Sequence, residues 1–329
     1  MGKRVALVLG SGGARGYAHI GVIDELEARG YEIGCIAGCS MGAVIGGIYA
    51  AGKLPDYRDW IESLDYLDVL RLLDVSFRLG AIRGEKVFGR IRDILGEINI
   101  EDLSIPFTAV ATDLTNQQEI WFQEGCLHQA MRASAAIPSL FTPVVQGSRV
   151  LVDGGLLNPL PIIPVVASRC DLIVAVNLNS TNQKQYQLPV IERPQLIKGK
   201  IDQLVGSISA RLPFRRRNGE PVDADAQAEE LLLHNDKPTP ASPSPAKAKA
   251  DDIKVTTTMG PASLLELVNQ SFEVMQTSLA QYKIAGYPPD VLINVPKRVC
   301  RFFEFYKAPE LIQLGRQIAS DALDKYEQD

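Results

Sequence analysis

Ser40 stands in Gly38-Cys39-Ser40-Met41-Gly42, Asp153 opens Asp153-Gly154-Gly155, and the glycine-rich run Gly10-Ser11-Gly12-Gly13-Ala14-Arg15-Gly16 precedes both. A serine hydroxyl is a weak nucleophile unless a base lies beside it and a sharp turn exposes it. The G-x-S-x-G pattern supplies such a turn where a strand passes into a helix, its glycines relieving the crowding. The helix that follows would aim its free amides and positive dipole end at charge developing on the reacting centre. A close-packed turn with an incidental serine would use the same glycines, and an aspartate before two glycines is usually only a turn former. Both gain weight from standing together in one chain.

The run at residues 10–16 has two readings. As a dinucleotide fingerprint it should read G-x-G-x-x-G, but counting from Gly10 puts Arg15 at the third glycine position. No acidic residue ends a second strand about 20 residues on, as that fingerprint requires. The other reading is an oxyanion hole, with the Gly12, Gly13 and Ala14 amides turned toward a tetrahedral oxygen. Three histidines are present, His19, His128 and His234. Of these, His234 alone follows Asp153, and it falls in a Pro/Ala/Lys-rich stretch unsuited to a positioned base; His19 and His128 read as structural. The pattern favours a Ser–Asp dyad over a Ser–His–Asp triad.

These residues need strands to carry them and helices to cover the strands. Lys3–Leu9 is a short aliphatic run that predicts a buried strand. A helix is expected over Tyr17–Arg29, ended by Gly30, then a strand before Gly38 and a small-residue helix after Ser40. Further strands are expected at 107–111, 149–152, 172–176 and 291–295, with a helix near 126–131 and another resuming at Ser263. The alternation predicts an α/β fold around a largely parallel sheet. Pro238, Pro240, Pro243 and Pro245 crowd a segment too polar to offset its ordering entropy, so 201–260 reads as a flexible insertion. It separates a core over 3–200 from C-terminal helices and a strand over 261–329 that pack on the same domain. Trp60, Tyr66, Leu70, Leu72, Leu73 and Phe77 either form a lid over an apolar groove or belong to the core.

Composition narrows the classes. A net charge of −5 with 22% charged residues gives no basic footprint for nucleic acid. Five cysteines lie scattered with no CxxC spacing, as expected of reduced thiols rather than a disulfide framework or zinc site. No apolar run approaches the about 18 residues of a spanning helix, and the N-terminal apolar run is too short for a signal peptide. A cytoplasmic protein touching membranes only peripherally is the expectation.

The loop, the elbow and the D-G-G turn, in this order, resemble the patatin-like phospholipase family. Tyr17–Val22, Leu79–Glu85 and Arg132–Pro138 resemble its bacterial branch related to neuropathy target esterase. The likeness covers about 3–180 well and 261–310 loosely. It implies a three-layer α/β/α patatin-like fold and hydrolysis of lipid acyl esters, with Ser40 as nucleophile, Asp153 as base and Gly12, Gly13 and Ala14 as oxyanion loop. Gly10, Ser11, Arg15, Gly16, Gly38, Gly42, Gly154 and Gly155 complete the motifs, Ser11 standing where the family has glycine. No cofactor or metal is implied. The expected partners are a lipid ester and, transiently, a membrane surface; oligomeric state is left open. The rival readings are a phosphate-binding loop protein and a catalytically weak regulatory protein of the same fold.

Overall fold

The computed structural model describes residues 2–73, 75–76, 81–82, 84–138, 141–181, 186–191 and 261–328. Two compact units divide the chain, Met1–Ile191 with Asn269–Asp329, and Glu192–Val268. The stretch expected as a flexible insertion, 201–260, lies outside the described residues.

The first unit is organised by one sheet. Its strands are β1 (Arg4–Leu9), β2 (Glu32–Cys39), β5 (Phe107–Asp113), β6 (Gln118–Phe122), β7 (Val144–Gln146), β8 (Arg149–Asp153), β9 (Leu172–Ser180) and β10 (Val291–Pro296); β3 (Val75–Ser76) and β4 (Ala81–Ile82) form a separate antiparallel pair. The order β10-β9-β1-β2-β5-β8-β7 is parallel from β10 to β5 and antiparallel beyond, with β6 also paired antiparallel to β5. The sheet is therefore mixed: of the strands expected from the sequence, that at 149–152 is β8 in the antiparallel half and the others lie in the parallel half.

Aliphatic strand residues split between the two faces, which is what makes three layers. From β1, Val5, Leu7 and Leu9 enter the larger core with Ile20 and Ile23 of α1 (Ala18–Ala28), Ile45 and Ile48 of α2 (Met41–Ala50) and Leu311 and Ile318 of the C-terminal helix. The alternating Ala6 and Val8 face a smaller core with Leu160, Ile162, Val165 and Ala280. Helices α3 (Leu54–Glu62), α4 (Tyr66–Leu73), α5 (Glu85–Leu95) and α6 (Leu127–Ser134) follow in order, then α7 (Pro261–Gly286) and α8 (Ala308–Gln328). The two helices flanking β1 in sequence and closing the chain, α1 and α8, interlock. Gly21 lies under the Ile312 carbonyl and Gly315 under the Ala18 carbonyl, so neither position leaves room for a Cβ. Arg29, at the end of α1, then ties α8 down through Asp324 at 2.6 Å and Glu327 at 2.9 Å.

Because backbone rather than a movable side chain fills the space at Gly21, the Gly21→Ala change must spread α1 from α8. It is expected to cost about 1–3 kcal/mol, the usual range for overpacking a close-packed core. Chemical denaturation of the two proteins measures the difference, and an unchanged midpoint would disprove the close crossing.

Candidate active site

Ser40 is placed by the handover from β2 to α2. Its φ of 55° and ψ of −123° lie in a region that L-residues rarely enter, the sharp elbow the pentapeptide predicts. Such a bend brings the start of α2 against its own strand and against β1. A side chain at Gly42 would collide with the Leu9 carbonyl, and one at Gly38 would collide with the backbone of Gly42 and Ala43. The strain is held by a contact the sequence did not reveal: Ser134 Oγ accepts the Ser40 N–H at 3.0 Å and donates to the Val110 carbonyl at 2.6 Å. The first amide of α2 to find an intrahelical acceptor is that of Val44, bonded to the Ser40 carbonyl. The amides of residues 41–43 therefore stand at the head of the helix beside Ser40.

Asp153 reaches Ser40 through strand register. β2 ends beside β5 with Cys39 opposite Val110, and the next β5 residue, Ala111, is opposite Asp153 of β8. Strand β8 thus takes over the edge of β5 where β2 gives out, and its last residue occupies the rung next to the elbow. Ser40 Oγ donates to Asp153 Oδ2 at 2.5 Å. Gly155 N–H donates to Oδ1 at 2.7 Å, and the Asp153 N–H is held by the Ala136 carbonyl. Gly154 begins the short turn Gly154–Leu156 with its α-carbon against the Val110 carbonyl, and Gly155 faces Gln276 of α7. Asp153 is fully buried, and burial raises its carboxyl to about 7 against the opposing effect of the Ser40 and Gly155 hydrogen bonds. The neighbouring Cys39 thiol is pushed well up by the same burial and by the charges of Asp153 and Glu119.

The loop after β1 is tied at both ends. Gly10 N–H bonds the Val176 carbonyl at 3.1 Å and Ser11 N–H the Pro159 carbonyl at 2.9 Å, while Asn179 Nδ2 donates to the Ser11 carbonyl at 2.9 Å. The N–H groups of Gly12 and Gly13 have no hydrogen-bond partner among the described residues, and Gly13 lines the same slot as Ser40. Ala14 departs from expectation. Its N–H is spent on the Phe302 carbonyl at 2.9 Å, so of the three amides expected as oxyanion donors only two are available. Gly16 packs against Met41, joining the loop to the elbow.

Arg15 points away from the slot. Its side chain is buried, donates to the carbonyls of Lys297 at 3.2 Å and Cys300 at 3.3 Å, and meets Glu273 of α7 at 3.1 Å. It is a clasp between the loop and the C-terminal segment. His19 Nε2 meets the Gly10 carbonyl at 2.8 Å, and burial lowers its pKa to about 4. His128 meets the Phe88 carbonyl at 2.8 Å. Neither touches Ser40 or Asp153; His234 lies outside the described residues. No three His, Cys, Asp or Glu side chains are grouped to hold a metal ion among the described residues.

A narrow apolar slot of about 60 Å³ opens onto Ser40, walled by Tyr17, Val44, Trp60, Phe88, Ile137 and Phe305 among others. Of the candidate lid residues, Trp60 and Leu72 line this slot, Tyr66 instead stacks edge-on against Tyr306, and Phe77 lies outside the described residues. The assembly places a serine hydroxyl, a buried carboxyl and unspent amides at the mouth of an apolar slot, an arrangement able to carry acyl transfer.

Comparison with known proteins identifies the family. A family model described as patatin-like phospholipase matches residues 7–166. An uncharacterised NTE family protein of Mycobacterium tuberculosis (strain ATCC 25618 / H37Rv) is 41% identical across 99% of this chain and 93% of its own. Lysophospholipase NTE1 of Eremothecium gossypii is 30% identical over 56% of this chain, which spans only 12% of that protein. Among solved structures, VipD from Legionella pneumophila aligns over 99% of this chain and 67% of its own with a TM-score of 0.49 and 16% identity. Among the described residues no helix is long and apolar enough to cross a membrane. With its elbow, its D-G-G turn and its glycine loop assembled at one end of the sheet, the chain belongs to the NTE family of patatin-like phospholipases.

Proposed function

We propose that the protein is a serine acyl hydrolase of lipid esters, working through a Ser40–Asp153 dyad. The observation that carries this reading is the 2.5 Å hydrogen bond from Ser40 Oγ to Asp153 Oδ2, buried at the end of an apolar slot. Asp153 Oδ2 takes the Ser40 proton as Oγ attacks the ester carbonyl carbon, and the Gly12 and Gly13 amides receive the oxyanion. Collapse breaks the bond to the alcohol, which leaves with the proton from Asp153, and an acyl-Ser40 ester remains. Water then loses a proton to Asp153, attacks the acyl carbon and releases the fatty acid as Ser40 Oγ regains that proton. A single-chain ester of the lysophospholipid type, the substrate class in the name of the relative from Eremothecium gossypii, is the preferred substrate in this reading.

Fatty-acid release from lysophospholipids should disappear in Ser40→Ala and fall by about 10²–10⁴ in Asp153→Asn, the range for a lost general base. A fluorophosphonate should label wild-type Ser40. Failure of both release and labelling would transfer the protein to the regulatory reading of its fold.

The base must be ionised to accept a proton. With its carboxyl near 7, kcat/KM should rise up to that pH and level above it, dropping about tenfold per unit below. Stability runs the other way. The folded pKa lies above the ordinary 3.8, so the folded state binds the proton more tightly, and this contribution is lost as pH rises through about 7. Wild type should therefore lose thermal midpoint relative to Asp153→Asn between pH 5 and 8, and parallel curves would refute the raised pKa.

Arg15→Met keeps the length of the clasp but removes its donors. It should lower kcat by about tenfold or more while leaving KM near wild type, less than the about 10²–10³ of losing an oxyanion donor outright. Steady-state kinetics separates the two parameters, and an effect confined to KM would exclude a role in holding the loop.

A further inference from the structure

On the other side of the glycine loop, the ends of β9 and β10 and one face of α7 enclose a second cavity of about 310 Å³. Both strands change character there. β9 runs Leu-Ile-Val-Ala-Val and then Asn177-Leu178-Asn179-Ser180, and β10 places Asn294 directly opposite Asn177. One rung earlier the same face is apolar, with Ala175 and Leu292 packed against Ala280 and Ile284 of α7. The cavity is lined by Asn177, Asn179, Thr277, Gln281 and Asn294 on the polar side and by Ile284 and Leu292 on the other.

Buried amides are costly unless they are bonded, and a purely structural contact here could have continued the aliphatic pattern. Part of the set is satisfied internally: Asn177 Nδ2 donates to Asn294 Oδ1 at 3.0 Å, and Asn177 Oδ1 accepts the Asn179 N–H at 3.0 Å. No hydrogen bond among the described residues uses Asn294 Nδ2 or the Gln281 side-chain amide. Among the described residues no charged side chain lines the cavity, so an ionised ligand would find no opposite charge there. Donors and acceptors on one wall and aliphatic groups on the other suit a ring bearing hydroxyls on its rim and C–H groups on its faces. The volume lies at the lower end of ligand sites, about 300–1,000 Å³.

We propose that this cavity binds a neutral polyhydroxyl ring, a single sugar or a cyclic polyol. The site is also wired to the loop beside Ser40. Asn179 reaches from the cavity to the Ser11 carbonyl, and its Oδ1 lies 3.4 Å from Arg15 Nη2. On the opposite face of the same strand, Leu178 packs against Gly12. A ligand gripping Asn179 therefore steadies residues 10–16. The binding claim stands independently of the catalytic reading.

Saturation-transfer NMR and calorimetry with glucose, myo-inositol and glucose 6-phosphate test it on the full chain. Glucose or myo-inositol should bind at millimolar concentration or better, and glucose 6-phosphate at least tenfold more weakly than glucose. Binding should fall at least tenfold in Thr277→Val and in Gln281→Leu; the latter sits at the exposed rim, where folding is not at stake. Absence of binding by either neutral ring, binding unchanged in both variants, or preference for the phosphorylated sugar would overturn the proposal. Hydrogen exchange of the 10–17 peptide should slow when the ligand is added, and unaltered exchange would refute the link to the loop. Phosphatidylcholine vesicles with and without a glucosyl diacylglycerol separate the two sources of the ring. Selective retention by the glycolipid assigns a lipid headgroup, and binding of the free sugar alone assigns a soluble ligand.

Discussion

A carboxylate removed from water is the constraint around which this end of the sheet is built. Asp153 is fully buried, and among the described residues its two oxygens accept from the Ser40 hydroxyl and the Gly155 amide alone. Neither partner carries charge, so burial dominates and the carboxyl rises to about 7. A cation in the same place would have held it ionised and lowered its affinity for a proton. Arg15, the buried arginine within the loop, is instead turned to the carbonyls of Lys297 and Cys300. Keeping positive charge out of the slot thus leaves burial to set the Asp153 carboxyl.

The geometry this demands is supplied by backbone crowding. Gly38 and Gly42 allow α2 to start hard against β1 and β2, and the resulting φ at Ser40 is held by Ser134 from α6. Strand β8 then has to run antiparallel, because its C-terminal residue must arrive where β2 ends. A sheet parallel throughout would bring the loop end of each strand to the same side but would not deliver the final side chain of one strand into the vacated rung of another. The reversal at β5 is accordingly part of the site and not a decoration at the sheet edge.

What could be read from the sequence follows the range of the forces involved. The elbow, the loop and the D-G-G turn are local and depend on glycine, so they stand out as residue types; so do the aliphatic runs of β1, β5, β9 and β10. The helices around Ser40 and their small residues were equally legible. Three things were not. The antiparallel takeover by β8 is a pairing of residues some forty apart, with no local signature beyond its short aliphatic run. Ser134 is one serine in an alanine-rich helix, and only its placement against Ser40 and Val110 distinguishes it. Ala14 reads as a third loop amide until Phe302, nearly three hundred residues away, claims its N–H. In each case a long-range contact decided a question that composition left open.

That last contact shows how the loop is completed. Residues 10–16 are pinned by Val176, Pro159 and Asn179 on one side and by Lys297, Cys300, Phe302 and Glu273 on the other. Every one of these partners lies in residues 159–179 or 273–302. The chain between them is constrained at its two ends. β9 carries Asn179 and Val176, and α7 carries Glu273 and places Gln276 against Gly155, so the segment must leave and return with both elements in register against the loop. A long tract unlike its surroundings thus interrupts a domain whose glycine loop is held by residues on both sides of the interruption.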